Sequence, residues 1–328
     1  MQFIDKHGRK ITSLRVSVTD RCNFRCSYCM PQSKFEWIPH EDILCYEEFL
    51  RIIGMFSEIG LYKIKVTGGE PLMRKGLPGF IGELRKIDGI TDISLTTNGF
   101  FLDKYAAELY EAGLGRITVS LDTLREERFN KIVANGHFKK IYENILKLKE
   151  TPFKNSKLNV VAIRGFNDDE VSDFIRFSQE TGFSVRFIEF MPLDGDKNWS
   201  EDRVVSASEI LSKIRSEFDF EQVAGFGVDS PASRYKLTDG SAEFGLIPTV
   251  SSPFCENCGR VRLTSTGHLR TCLFSDKETD LRSLLRGGSS DDDLREAIKN
   301  ALFNKEIGHL IDNPAFTPPN RPMNEIGG

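Results

Sequence analysis

Six of the seven cysteines in this 328-residue chain fall into two sets of three, and the chemistry of the sequence is concentrated there. The first set is Cys22-Asn-Phe-Arg-Cys26-Ser-Tyr-Cys29. Thiolates are the usual ligands of iron–sulfur clusters, and a four-iron cluster takes four of them. Three leave one iron with an open coordination position, the same logic that separates catalytic from structural zinc sites. A small ligand bearing an amine and a carboxylate can chelate such an iron. The competing reading is zinc completed by a nearby histidine or carboxylate. Zinc knuckles and ribbons, however, open with C-x-x-C rather than C-x-x-x-C-x-x-C.

The second set is Cys255-Glu-Asn-Cys258 with Cys272. It too offers three thiolates to a four-iron cluster, and a zinc ribbon with His268 or Glu256 as stand-in ligand remains the alternative. Cys45, the cysteine left over, sits at an apolar helix start and is expected to be a buried small hydrophobe. Between Cys258 and Cys272, Arg260 and Arg262 alternate with Val261 and Leu263, so a strand there points both guanidiniums to one face. Arginine grips phosphate bidentately, which suits a polyanion.

The same alternation recurs upstream. Arg15 and Ser17 oppose Val16 and Val18; Lys63 and Lys65 oppose Ile64 and Val66; Lys157 opens one apolar run and Arg186 lies inside another. Strands of a parallel sheet usually read as nearly continuous apolar runs. Inward cations therefore need partners, either carboxylates such as Glu70, Asp122 or Glu189, or a bound anion. A triphosphate would serve, each charge-assisted hydrogen bond contributing roughly 1.5–3 kcal/mol. Thr67-Gly68-Gly69-Glu70-Pro71 ends one of these runs, and its glycines allow the backbone to approach a ligand closely.

The elements that must position these groups alternate. Candidate strands at Arg15–Thr19, Lys63–Thr67, Ile93–Thr97, Ile117–Leu121, Leu158–Ile163 and Val185–Phe190 are separated by helical patterns at Tyr46–Ile59, Leu77–Ile87, Lys104–Ala112, Ile141–Lys149 and Glu170–Glu180. In the first helix Phe49, Leu50, Ile53 and Phe56 recur at three- and four-residue spacing, as a one-sided helix requires. Strand–helix alternation implies a parallel sheet. Six units are too few for a closed eight-fold barrel, so the expected fold is α/β, a partial (βα)6 TIM-like barrel whose functional edge is the C-terminal ends of its strands. The pattern breaks after Phe190. Residues 1–195 then form the barrel and 196–328 a C-terminal α+β region, joined by a linker at Asp194–Asp202. That region is expected to hold a helix at Ala207–Ser216, strands at Tyr235–Leu237 and Phe244–Ile247, a hairpin from Arg260 to Cys272, two more helices, and an extended tail over Pro314–Gly328.

Composition sets the outer limits. Charged residues are 28% and apolar residues 39% of the chain, which is globular usage. Lys and Arg number 44 against 48 Asp and Glu, a net charge of −4 that disfavours a general nucleic-acid binder. No apolar run approaches the roughly 20 residues of a membrane helix. Residues 1–13 lack the apolar core of a secretory signal, so a cytoplasmic location is expected, where thiols stay reduced.

The cysteine spacing after a first strand, Tyr28 before the last cysteine and the GGEP loop resemble the radical S-adenosylmethionine superfamily. Over nearly the whole chain, RVSVTDRCNFRCSYCMP, KIKVTGGEPLMR, LTTNG, ITVSLD, KLNVV, VRFIEFMP, CENCGRVRLTSTGHLRTC and the terminal Gly327-Gly328 are similar to the GTP 3′,8-cyclase family of molybdenum cofactor biosynthesis. That resemblance implies two [4Fe-4S] clusters. One, on Cys22, Cys26 and Cys29, binds and cleaves S-adenosylmethionine, with Tyr28, Gly69, Ser120 and Met191 contacting this cosubstrate. The other, on Cys255, Cys258 and Cys272, meets the guanine base. It further implies GTP contacts at Arg15, Lys65, Thr96, Lys157, Arg260, Val261 and Arg262, supplemented by Lys63 and Arg186. Lys65 stands where the family carries arginine, keeping the charge but losing the bidentate fork. Arg15, Gly327 and Gly328 take catalytic positions, the tail reaching into the site.

The implied reaction removes the ribose 3′ hydrogen of GTP by a 5′-deoxyadenosyl radical, joins that carbon to guanine C8, and yields 3′,8-cyclo-7,8-dihydro-GTP. The partners implied are an electron donor such as flavodoxin or ferredoxin and the next enzyme, cyclic pyranopterin monophosphate synthase. The chain would act as a monomer or homodimer, without nucleic acid or membrane. Two rival readings are a peptide-modifying radical enzyme, which would carry more C-terminal cysteines, and a non-catalytic zinc-binding module.

Overall fold

The computed structural model describes all residues except 1, 32–35, 134–135, 154, 194–198, 224–231, 310 and 312–315. Six strands run parallel in sequence order: β1 (Ser13–Ser17), β2 (Lys63–Thr67), β3 (Asp92–Thr97), β4 (Arg116–Ser120), β5 (Lys157–Ala162) and β6 (Ser184–Glu189). Crossover helices connect them, namely α1 (Tyr46–Glu58), α2 (Leu77–Arg85), α3 (Leu102–Glu111), the pair α4 (Glu126–Ile132) and α5 (Phe138–Leu148), and α6 (Val171–Thr181). The sequence reading missed α4, a short helix of only seven residues. Strand bounds differ from expectation by a residue or two. β1 ends at Ser17 because the backbone of Thr19 turns away to accept from Gly69 N–H at 2.7 Å.

One face of this sheet is dry. Leu14, Val16, Ile64, Val66, Leu95, Ile117, Val119, Leu158 and Val185 are buried against the apolar stripes of the helices, which include Phe49, Ile53 and Phe56 of α1. Burying such side chains contributes roughly 1.5–3 kcal/mol each, so this packing fixes the register that puts every alternate residue on the opposite face.

The C-terminal residues do not form a sheet of their own. β7 (Phe220–Gln222), β8 (Ser233–Leu237) and β9 (Glu243–Ile247) extend the edge beyond β6, with β9 parallel to it. β10 (Arg260–Leu263), β11 (His268–Arg270) and β12 (Thr279–Asp280) extend the other edge, with β10 parallel to β1. The result is one open sheet of twelve strands among the described residues. Alternation within each run was visible in the sequence. The pairing of β10 with β1 across more than 240 residues was not, because strand partners are a tertiary property. Helices α7 (Ala207–Arg215), α8 (Leu281–Arg286) and α9 (Asp291–Phe303) pack outside, α9 opening on a Ser290–Asp293 capping box.

Two expectations are corrected. Cys45 is exposed, not buried: it is the N-cap of α1, its N–H donating to Glu48 at 2.7 Å. The tail is not extended throughout, since Met323–Ile326 makes one helical turn, α10; Pro314 and Ala315 lie outside the described residues. Of the expected linker, residues 194–198 lie outside the described residues, and Glu201–Arg203 forms a single tight turn.

Candidate functional site

The polar face of the sheet lines a cavity of about 1210 Å³, more than the roughly 300–1,000 Å³ of a typical small-molecule pocket. Both cysteine sets open onto it, as do Arg15, Lys63, Lys65, Thr96, Lys157, Arg186, Arg260, Arg262, Tyr28, Gly69, Ser120, Met191 and Gly328. Two expected residues stand apart. Val261 is fully buried in the apolar core and does not line the cavity; Gly327 sits one residue behind the wall.

The first cysteine set is held by three motifs whose purpose becomes visible only in the fold. Gly68 and Gly69 are pressed against the chain just before Cys22. A Cβ on Gly69 would lie 2.5 Å from the carbonyl oxygens of Asp20 and Arg21, a distance that backbone cannot accommodate. The close approach the glycines permit is thus to the cysteine loop itself, with Glu70 N–H donating to Arg21 at 2.7 Å. Glu70 is buried and accepts from Leu72 N–H, Thr97 Oγ1 and Asn98 N–H at 3.1, 2.8 and 2.8 Å. Asn98 in turn places its amide 3.8 Å from Cys22 Sγ. Asp122 accepts from Tyr28 Oη at 2.5 Å and from Val161 N–H at 2.8 Å. The LTTNG and VSLD motifs therefore serve as struts.

These surroundings are hostile to free thiolates. Burial, then the Glu70 charge, pushes the Cys22 thiol up to about 12. Burial with neighbouring Cys22 and Asp122 pushes Cys29 up to about 12, and Cys26 is raised by burial and its two cysteine neighbours. A cationic iron centre would reverse each of these costs, since metal ligation deprotonates thiols outright. Among the described residues no three His, Cys, Asp or Glu side chains converge on a point fit for a single ion. A cluster does not require that, because each thiolate binds a different iron.

Around the second set the field is inverted. Burial raises the Cys258 thiol, but the charges of Lys305 and Arg260 outweigh it and bring the thiol below its ordinary value. Cys255 and Cys272 stay raised by burial, with Lys305 opposing in both. Three thiolates in a cationic pocket suit an electron-rich, negatively charged inorganic centre.

Between the two sets lie the cations. Register places Arg262, Arg15 and Lys65 side by side on β10, β1 and β2, with Arg260, Ser13 and Lys63 one pleat away. Strands about 4.8 Å apart put unit charges close enough to repel by roughly 3 kcal/mol at an effective dielectric constant near 20. The expected carboxylate partners are elsewhere. Glu70 and Asp122 serve the first cysteine set, and buried Glu189 accepts from the N–H groups of Ala207, Val250 and Ser251 at 2.8, 2.7 and 2.8 Å. Among the described residues Arg15, Lys65, Lys157, Arg186 and Arg262 form no ion pair with a carboxylate. Burial first, then mutual repulsion, lowers them all: Arg15 and Lys65 well down, Arg262 to about 9, Arg186 to about 10 and Lys157 to about 7.

The tail enters from the same side. Arg262 Nη1 donates to Gly327 O and Thr67 Oγ1 to Gly328 O, both at 2.5 Å. Gly327 has φ +91° and a Cβ there would meet Ser17 Cβ at 2.9 Å, so glycine is required. Sequence reading missed Arg116, Arg234, Lys236 and Lys305, which also line the cavity. Arg116 pairs with Asp92 at 2.8 Å and Arg234 with Glu243. The alternation of Ser233–Leu237 carried the signal for Arg234 and Lys236; nothing local marked Lys305.

The profile of the Radical SAM superfamily matches residues 16–178, and that of Molybdenum Cofactor Synthesis C matches residues 183–311. Among solved structures, the fold is similar to Streptococcus suis SuiB bound to S-adenosylmethionine, with TM-score 0.61 at 14% identity, covering 91% of this chain and 68% of that one. The class is thus a radical SAM protein with the parallel α/β fold of that superfamily. The chain is 42% identical over 327 residues to the GTP 3′,8-cyclase of Peptoclostridium acidaminophilum, covering 99% of this chain and 98% of that protein. It is 41% identical to the GTP 3′,8-cyclase of Geobacter sulfurreducens over the full length of both. Within the radical SAM superfamily, the chain belongs to the family of the GTP 3′,8-cyclases.

Proposed function

We propose that this protein converts GTP to 3′,8-cyclo-7,8-dihydro-GTP, the family's step in molybdenum cofactor biosynthesis, inside the cationic cavity. The observation that carries the reading is the row Arg262–Arg15–Lys65, flanked by Lys157 and Arg186, which among the described residues forms no ion pair with a carboxylate. A triphosphate supplies the missing charge. Cys22, Cys26 and Cys29 would hold one [4Fe-4S] cluster and Cys255, Cys258 and Cys272 a second. Bound there, the first would supply the single electron that reductive cleavage of S-adenosylmethionine requires.

The protein's own residues orient and shield. Tyr28, Gly69, Ser120 and Met191 lie on the side of the first cysteine set and would receive the cosubstrate. The cations, with Thr96, would fix the triphosphate so that the ribose faces that cosubstrate and the base faces the second set. Gly327 and Gly328, pinned by Arg262 and Thr67, close the floor between them and keep water away from a radical. In this reading residues 1–195 supply the radical and 196–328 the base-binding wall, a division of labour within one sheet. The reductant would be a flavodoxin- or ferredoxin-type donor, and the product would pass to cyclic pyranopterin monophosphate synthase in the cytoplasm. Among the described residues no helix is long and apolar enough to cross a membrane.

The test is anaerobic. The reconstituted protein should hold about eight irons and eight sulfides per chain, as two four-iron clusters require. Given GTP, S-adenosylmethionine and dithionite, it should form cyclised nucleotide and 5′-deoxyadenosine together. A colourless protein that binds two zinc ions and turns over neither substrate would overturn the reading.

A further inference from the structure

The second cysteine set is bracketed by two buried cations that the cyclase reading leaves without a role. Arg9 is 5% exposed and Lys305 2%. Arg9 comes from the N-terminal hairpin, where Asp5, itself buried, accepts from its backbone N–H at 2.9 Å and from Nε at 2.6 Å. Its guanidinium then reaches across the chain. Nη1 donates to Cys255 O at 3.0 Å and Ile307 O at 3.1 Å, and Nη2 to Glu306 O at 2.7 Å.

Lys305 takes the other two cysteines. Its ammonium donates to Arg260 O at 3.1 Å, two residues beyond Cys258, and to Thr271 O, one residue before Cys272. The next residue reinforces the grip, Glu306 accepting from Thr271 Oγ1 and Ser275 Oγ, both at 2.6 Å. Each of the three cysteine-bearing segments is thus fastened to residues 305–307, and two of the fasteners carry positive charge. A buried ammonium bonded to carbonyls bears a desolvation cost that nearby negative charge offsets, and the three thiolates, together with the Glu306 carboxylate, are the sources at hand.

We propose that Arg9 and Lys305 are positioning residues for the second centre. Arg9, its charge matched by Asp5, locks the Cys255 turn, while Lys305 sets the spacing of the Cys258 and Cys272 segments and its charge favours the more reduced, more negative state of a cluster held there. This rests on the reading of Cys255, Cys258 and Cys272 as ligands of a second cluster.

The test uses full-length protein with Cys22, Cys26 and Cys29 changed to serine, so that only the second centre is observed. Iron per chain, the rate of iron loss to a chelator and the midpoint potential by EPR-monitored titration are measured in that parent and with Lys305→Met, Lys305→Arg or Arg9→Met added. The parent should hold about four irons, the complement of one such cluster. Lys305→Met should move the potential to more negative values and speed iron loss at least ~10-fold, because a favourable charge and two fastening bonds are gone. Lys305→Arg should restore the potential, and Arg9→Met should speed iron loss. Unchanged potential in Lys305→Met with unchanged iron loss in both methionine variants overturns the proposal while leaving the second centre standing. A parent that binds no iron removes the second centre itself, and the proposal with it. Should Lys305→Met fail to fold, Lys305→Arg decides: a potential displaced although the charge is kept overturns the electrostatic role.

Discussion

The two cysteine sets offer the same three thiolates to opposite fields. Around Cys22, Cys26 and Cys29 burial weighs most, and the carboxyl groups of Glu70 and Asp122 add to it. Around Cys255, Cys258 and Cys272 Lys305 acts on all three, joined by Arg260 at Cys258 and opposed by Glu306 at Cys272. Net charge and hydrogen bonding are principal levers on the potential of an iron–sulfur centre. An acidic shell suits a centre that must give up an electron. A cationic shell suits one that stays reduced and shares its neighbourhood with a polyphosphate. Motif spacing alone makes the sets look alike, and their surroundings separate them.

The strongest way to break that contrast is to remove one ligand from each side. Cys26→Ser should abolish 5′-deoxyadenosine formation under dithionite. Cys258→Ser should keep cosubstrate cleavage while losing cyclised nucleotide; equal loss of both activities in the two variants would erase the distinction. Arg262→Ala comes next. It removes a charge-assisted contact worth about 1.5–3 kcal/mol, so GTP affinity measured by calorimetry should weaken roughly 10- to 150-fold, with S-adenosylmethionine affinity little changed. Deleting Gly327 and Gly328 should cut cyclisation more than cosubstrate cleavage while thermal unfolding stays cooperative, since the tail packs on Ser17 and Thr67 rather than in the apolar core.

The smallest effect is one of pH, carried by Lys157. Burial and the charges of Arg186 and Arg116 bring its folded pKa from 10.5 to about 7. Between those values the unfolded chain holds a proton that the empty fold has released, so the stability of the nucleotide-free protein rises with pH across that window. A bound triphosphate returns the proton. GTP binding above pH 7 should therefore take up protons and weaken as pH increases, which calorimetry in buffers of differing ionisation enthalpy detects. Proton release, or none at pH 8, would show that Lys157 does not meet the anion.

The sequence by itself determined the strand and helix alternation, because apolar periodicity records which face each element must bury. It also singled out six cysteines as candidate ligands by their spacing, and the inward cations of β1, β2, β5, β6 and β10, because a charged residue in a buried strand is conspicuous beside its apolar neighbours. Only the tertiary structure decided where the carboxylates went. Glu70, Asp122 and Glu189 were available to neutralise the cations, and each is committed instead to backbone and hydroxyl donors. It also decided that β10 lies against β1, which sets Arg262 beside Arg15, and that Arg9 and Lys305 reach different members of one cysteine set from opposite ends of the chain. Such meetings depend on which segments pair across hundreds of residues, and local side-chain chemistry carries no record of them.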